Sequence, residues 1–280
     1  MGAARFGRRN RIEIKSPEQI ERMRAAGLVV AGALDAVVAA LRPGCSTADL
    51  DAVARTYIRD HGATPSFLGY HGFPAVLCTS VNDQIVHGIP GDLVIAEGDL
   101  VSIDCGAIVD GWHGDAAVTG PVGDVDAVDR DLLTVTEDAL WQGLAAAVGG
   151  GRLSDIGHAV ESWVRRHGDY GIVEEYVGHG IGTRMHMEPS VPNYGEPGHG
   201  PELAPGMALA VEPMVNLGGR HTRELDDGWT VVTADGSRSA HFEHTVAITP
   251  QGPWVLTAAD GGAARFGALG VASPATAARP

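Results

Sequence analysis

The sequence predicts an α+β fold in which two similar halves pack as one domain. Three observations carry that expectation. Helical stretches come in pairs, and each pair precedes a run of strand-like segments. The pairs resemble each other: a shift of 106 residues lays Asp49, Leu50, Arg59, His61 and Gly62 over Asp155, Ile156, Arg165, His167 and Gly168. Finally, Asp110-Gly111 is a two-residue hairpin signal between apolar runs. A functional site is expected between the sheets of the two halves.

Ser16 reads as the N-cap of the first helix, with Pro17 at its first position and Gln19 completing a capping box. Ile20, Met23, Ala26 or Gly27, and Val30 continue an apolar stripe to about Leu41, and Arg42-Pro43-Gly44 stops it. Ser46 with Asp49 opens a second helix that ends at His61-Gly62. Residues 75–79, 99–109 and 112–119 read as strands, 126–148 and 154–167 as helices, and 207–215 and 229–248 as short strands. The Ala- and Gly-rich stretch from about 256 shows no periodicity and is expected to be mobile or weakly docked. The predicted organisation is a flexible basic arm over 1–15, a single domain over 16–250 and a tail over 251–280.

Composition narrows the functional classes. A net charge of −15 argues against a non-specific nucleic-acid surface. The exception is the basic cluster Arg5, Arg8, Arg9, Arg11 and Lys15, a candidate contact for an anionic surface such as RNA. The arginines at the start have no apolar core behind them, so a secretory signal is not expected. No run of 18 apolar residues suggests a membrane span. Cys45, Cys78 and Cys105 have neither disulfide-framework nor metal-motif spacing, which fits a reducing cytoplasm. Lys15 is the only lysine, so Schiff-base chemistry later in the chain is excluded.

The chemistry sits where acids interrupt apolar runs. If Asp110-Gly111 forms the turn of IDCGAIVDGWHGD, Val109 faces Trp112, Asp104 lies opposite Ala117, and Asp115 lies opposite Gly106. Asp104 and Asp115 then share one face of the ribbon as diagonal neighbours. Like charges that close repel unless a proton or cation lies between them. Cys105, one residue along, should face the other way. Later segments supply more donors: GHGIGTRMHMEP holds His179 and His186, MALAVEPMVN holds Glu212, SAHFEHTVAI holds Glu243, and NDQIVHGIP holds His87. Two divalent cations would neutralise the four carboxylates while His179 offers a neutral nitrogen. Such a set suits Mn, Fe(II), Co or Zn, and a paired-metal site suits hydrolysis of an amide or, equally, a phosphoester. By strand alternation His241 shares a face with Glu243 and His244 points away, which makes His241 a candidate for supporting a ligand.

Read together, GYHGFP, CTSVNDQIVHGIP, DCGAIVDGWHGD, GHGIG with HMEP, VEPMVN and DGWTVVTADGSRSAHFEHT occur in one order from about Ser16 to Thr249. In this the chain resembles the type I methionine aminopeptidases, whose fold is called the pita-bread fold. The resemblance implies five metal ligands: Asp104 on one ion, Asp115 and Glu243 bridging, and His179 with Glu212 on the other. It implies that Glu212 helps deprotonate the attacking water and that His186 stabilises the oxyanion or scissile amide. His87 is implied to hold the backbone beyond the cleaved bond. The methionine pocket falls on Tyr70, Phe73, Cys78, Met185 and Trp229, with His87 and His186 also touching substrate. Many relatives have an aromatic residue at Met185, and some have Cys at Phe67, changes expected to alter fine specificity rather than the reaction. A monovalent cation, Na or K, is implied near the backbone of Asn82, Gln84 and Ser239.

The implied substrates are nascent polypeptide N-termini whose second residue is small, met by a cytoplasmic monomer in transient ribosome contact. No specific nucleic-acid site and no membrane association are implied. The rivals are a proline-specific aminopeptidase of the same fold, which normally carries a sizeable N-terminal domain, and a catalytically inactive relative acting as a binding protein. The filled ligand positions oppose the second.

Overall fold

The structure, a computed structural model, describes residues 12–276. Helix α1 spans Pro17–Ala40 behind the Ser16–Gln19 capping box, and α2 spans Thr47–Asp60 behind a Ser46–Asp49 box. Helices α3, Ala127–Ala146, and α4, Leu153–His167, form the second pair. The repeat read across 106 residues is structural. Asp49 Oδ2 accepts from the Ser46 N–H at 2.9 Å, and Asp155 Oδ2 accepts from the Arg152 N–H at 2.7 Å. The same acid thus closes the same turn in both halves.

A nine-stranded antiparallel sheet joins the halves. Its main path runs Thr64–Pro65, Leu100–Val109, Trp112–Pro121, Glu243–Thr249, Ala208–Val211, Gly178–Gly180 and Met187–Val191. Leu77–Val81 also pairs with the 100–109 strand, and Gly252–Val255 with the 243–249 strand. The halves meet where Glu243 pairs with Ala117 and His244 with Ala116. Helices back this curved sheet in the pita-bread arrangement.

The hairpin forms in the register that alternation requires: Val109 faces Trp112, Asp104 faces Ala117 and Gly106 faces Asp115. Asp110 and Gly111 take φ of 48° and 80°, the positive values a two-residue turn of this kind demands. Cys105 is fully buried on the opposite face from Asp104, beside Val30, Leu50 and Ile58 from α1 and α2. Leu140, Leu144, Ile156 and Val160 from α3 and α4 fill the corresponding core under the second half.

By length and composition α1 could cross a membrane. Its apolar face is instead used in the core: Met23, Ala26, Val30, Ala33 and Val37 are fully buried. It lies so close to the hairpin that a Cβ on Gly114 would come 2.8 Å from the Gly27 nitrogen.

At both ends, residues described in the structure are docked within stretches expected to be loose. Arg5, Arg8, Arg9 and Arg11 lie outside the described residues, but the last residues of the expected flexible arm are docked. The Lys15 N–H donates to the Gly206 carbonyl at 2.8 Å, and its side chain is buried. The expected weakly docked tail contributes the 252–255 strand and helix α5, Ala263–Leu269. Phe266 is fully buried, edge-on to Trp141 with ring centroids 5.7 Å apart. This aromatic, with Arg265 paired to Glu137 and Asp138, holds a segment whose small residues conceal any period. Phe266→Ala is therefore expected to cost about 3–5 kcal/mol in urea unfolding. A loss below about 1 kcal/mol would mean that the tail contributes little to the core.

Candidate metal centre and binding pocket

Asp104, Ala117 and Glu243 stand in one row across three adjacent strands. The small central alanine leaves space between the two acids. Asp115 lies two residues from Ala117 on the same face. Its backbone is fixed by Thr245, whose hydroxyl accepts from the Asp115 N–H at 3.1 Å and donates to the Asp115 carbonyl at 2.8 Å.

His179 enters on the short 178–180 strand, which resolves GHGIG as sheet rather than only a tight turn. Its glycines are required by space: a Cβ on Gly178 would sit 2.3 Å from the Ala210 carbonyl oxygen, and one on Gly180 2.1 Å from that of Glu188. Glu212 sits in the break between Ala208–Val211 and Met214–Asn216.

The atoms converge. His179 Nε2 lies 3.6 Å from Glu212 Oε1 and 3.9 Å from Asp115 Oδ2. Asp115, His179 and Glu243 each offer a ligand atom, all within 4.8 Å of one another, so this group can hold a metal ion. Asp104 and Glu212 line the same cavity.

Electrostatics bears on the fit. Burial pushes the Asp104 carboxyl up to about 7. Burial and then the neighbouring acids push Asp115, Glu212 and Glu243 well above the ordinary carboxylate range. Asp104 Oδ1, Asp115 Oδ1 and Glu243 Oε1 are buried without a hydrogen-bond partner. Such oxygens are costly unless a cation or proton meets them. Burial also depresses His179 to about 3, which keeps the imidazole neutral. Its Nδ1 contacts the Gly180 carbonyl at 3.0 Å, and a proton on that nitrogen leaves the Nε2 lone pair free for a ligand. Oxygens plus one imidazole fit a hard or borderline divalent cation.

The same cavity, about 170 Å³ in all, has an apolar wall of Tyr70, Phe73, Cys78, Met185 and Trp229. Phe73 and Trp229 meet edge to face at 5.0 Å. Trp229 is presented by a turn in which Asp227 Oδ1 accepts from the Trp229 and Thr230 N–H groups. Cys78 pairs across the sheet with Asp104, so the apolar wall begins where the acids end. His186 lines the mouth, its Nδ1 2.8 Å from the Tyr70 hydroxyl and its ring 4.2 Å from that of His179. His87 lines the far side at a φ of 62°, a conformation rare for a residue with a Cβ and typical of functional positions.

Three features differ from, or add to, the sequence reading. His241 and Glu243 do not share one continuous strand: the chain breaks at Phe242, and Ser239–His241 belongs to a separate three-stranded sheet. His241 Nε2 is buried without a partner, and His241 is absent from the cavity wall, whereas His244 packs on Trp141 and Thr257. Phe67, noted in the sequence only as a variable position, lines the pocket. Asn193 is new: fully buried, it donates from Nδ2 to the Glu212 carbonyl at 3.1 Å. Nothing in the local sequence around VPNY announces that contact.

Comparison with known proteins gives a consistent result. The model of metallopeptidase family M24 matches residues 21–250. Methionine aminopeptidase 1 of Mycobacterium tuberculosis (strain CDC 1551 / Oshkosh) is 55% identical over 260 residues, covering 91% of this chain and 98% of the relative. The crystal structure of methionine aminopeptidase from Thermotoga maritima superposes with a TM-score of 0.87 at 43% identity, over 88% of this chain and 99% of that one. The methionine aminopeptidase from Rickettsia prowazekii gives a TM-score of 0.87 at 41% identity, over 89% and 100%. The chain belongs to the methionine aminopeptidases of metallopeptidase family M24.

Proposed function

We propose that the protein removes the N-terminal methionine from peptides and nascent chains whose second residue is small. The observation that carries this reading is one cavity in which a buried acid–imidazole cluster abuts a closed apolar pocket. The cluster matches hydrolysis, and the apolar wall beside it suits one unbranched thioether side chain.

In this reading Asp104, Asp115, His179, Glu212 and Glu243 would hold two divalent cations, Mn, Fe(II), Co or Zn. When bound, the cations supply a water of lowered pKa and a Lewis acid for the scissile carbonyl. Glu212, buried beside His179, would serve as the proton acceptor for the attacking water. His186 would act on the carbonyl side: in the tautomer whose Nδ1 accepts from the Tyr70 hydroxyl, the ring's proton is on Nε2 and free to donate to the developing oxyanion. Burial holds His87 down to about 4, so at neutral pH it is an uncharged partner for the peptide backbone beyond the cleaved bond. Tyr70, Phe73, Cys78, Met185 and Trp229, joined by Phe67, receive the methionine side chain.

One chain supplies every group in this scheme, which suits a monomer. Three free, buried cysteines suit the cytoplasm, where nascent N-termini are met and a ribosome contact would be transient. A monovalent cation, Na or K, at the carbonyls near Asn82, Gln84 and Ser239 belongs to the same reading. Asn82, at a φ of 59°, bends its backbone there.

The test is hydrolysis of Met-Gly-Met-Met against Pro-, Leu- and acetyl-Met-started peptides, after chelation and re-addition of each ion. Release of methionine from the free, Met-started peptide alone, and only with cation, is the expected result. Preferred release of proline, or methionine release indifferent to cations, would refute it.

A further inference from the structure

The residues ahead of α1 grip the loop that carries His186. Glu13 Oε2 accepts from the Thr183 hydroxyl at 2.9 Å. Its other oxygen, Oε1, is buried and has no hydrogen bond, but lies 3.6 Å from Lys15 Nζ. Lys15 is the chain's single lysine, and its side chain is only 2% exposed. A buried ammonium is expensive unless paired, so Glu13 and Lys15 stabilise each other's placement. The Lys15 backbone is anchored independently on Gly206.

The loop side is equally tight. A Cβ on Gly182 would fall 2.5 Å from Glu13 Oε1 and 2.6 Å from Lys15 Cε. The Gly182 carbonyl accepts from the His113 N–H at 2.9 Å, and its own N–H donates to the Arg184 carbonyl at 3.1 Å. That reversal aims the next two residues, Met185 and His186, at the pocket. Met185 is seated in the pocket wall, but Thr183 and His186 on either side of it are exposed, so their placement depends on polar contacts.

We propose that Glu13 and Lys15 are positioning residues that clamp the 182–184 loop and so set His186 against the scissile peptide. The proposal rests on the role given above to His186. A donor displaced by about 1 Å from its developing charge can forfeit much of its effect, and the clamp acts three residues from that donor.

The experiment measures kcat and KM on Met-Gly-Met-Met for Glu13→Ala, Thr183→Val and Glu13→Gln. The first two are repeated in a His186→Ala background, with cation affinity and melting temperature recorded for each variant. Glu13→Ala and Thr183→Val are expected to lower kcat about tenfold with KM and cation affinity nearly unchanged. Glu13→Gln keeps an acceptor for the Thr183 hydroxyl but loses the charge beside Lys15, and is expected to fall between Glu13→Ala and the wild type. In the His186→Ala background the losses should vanish, because coupled residues are not additive. Losses that multiply with His186→Ala, that follow cation affinity or melting temperature, or that never appear would overturn the clamp. Should His186→Ala itself match the wild type, the role of His186 falls first and the clamp with it.

Discussion

Glu243→Gln is expected to reduce methionine release by about a thousandfold or more, the scale of losing a buried electrostatic element of a site. The same substitution is expected to raise the melting temperature of protein stripped of divalent cations. The two effects have one origin. Four carboxylates share a buried cavity; burial raises them all, and repulsion from neighbouring acids adds to it at Asp115, Glu212 and Glu243. With cations present that repulsion becomes affinity. Without them it is a cost, which one amide of the same shape relieves.

The sign with pH follows. A carboxyl raised in the fold holds its proton where the unfolded chain has already lost it, so its contribution to stability declines as pH rises from the unfolded value. For Asp104 the window runs from the ordinary value of 3.8 up to about 7. The stabilisation of stripped protein by Glu243→Gln should accordingly be larger at pH 7.5 than at pH 5, read by thermal melts in chelator. Equal or reversed shifts would show that the acids do not oppose one another as the geometry indicates.

The second large effect is on turnover alone. His186→Ala is expected to lower kcat by about 10²–10³, the range for one oxyanion donor, with KM moved less than about threefold. Cation binding followed by calorimetry should be unchanged, since His186 contacts the His179 ring without offering a ligand atom to the cluster. Tyr70→Phe removes the hydroxyl at Nδ1 and should cost a smaller part of the same kcat. A KM effect larger than the kcat effect would recast His186 as a binding residue.

Much of this site was legible in the chain because it breaks local rules. Asp104, Asp115, Glu212 and Glu243 interrupt apolar runs, and the strand period with Asp110-Gly111 at the turn gives the hairpin register residue by residue. Alternation failed at His241, because Phe242 interrupts the strand and a period of two cannot be carried across the break. The α5 segment was illegible for another reason: alanine and glycine conceal amphipathicity, and its docking rests on Phe266 in the core and Arg265 on Glu137 and Asp138. Thr245 on Asp115 and Asn193 on Glu212 are contacts between distant segments, to which local pattern is blind. The walls of the methionine pocket came from resemblance, since each wall residue alone reads as ordinary core.

The division of the site between the two halves has a practical consequence. Asp104 and Asp115 precede the exposed Gly123-Asp124 link, and His179, Glu212 and Glu243 follow it. Severing the chain there would yield two fragments, each with its own helix pair and neither with a complete set of cation donors. Turnover would return only when they reassociate, so the enzyme is a natural candidate for a split reporter whose signal is released methionine.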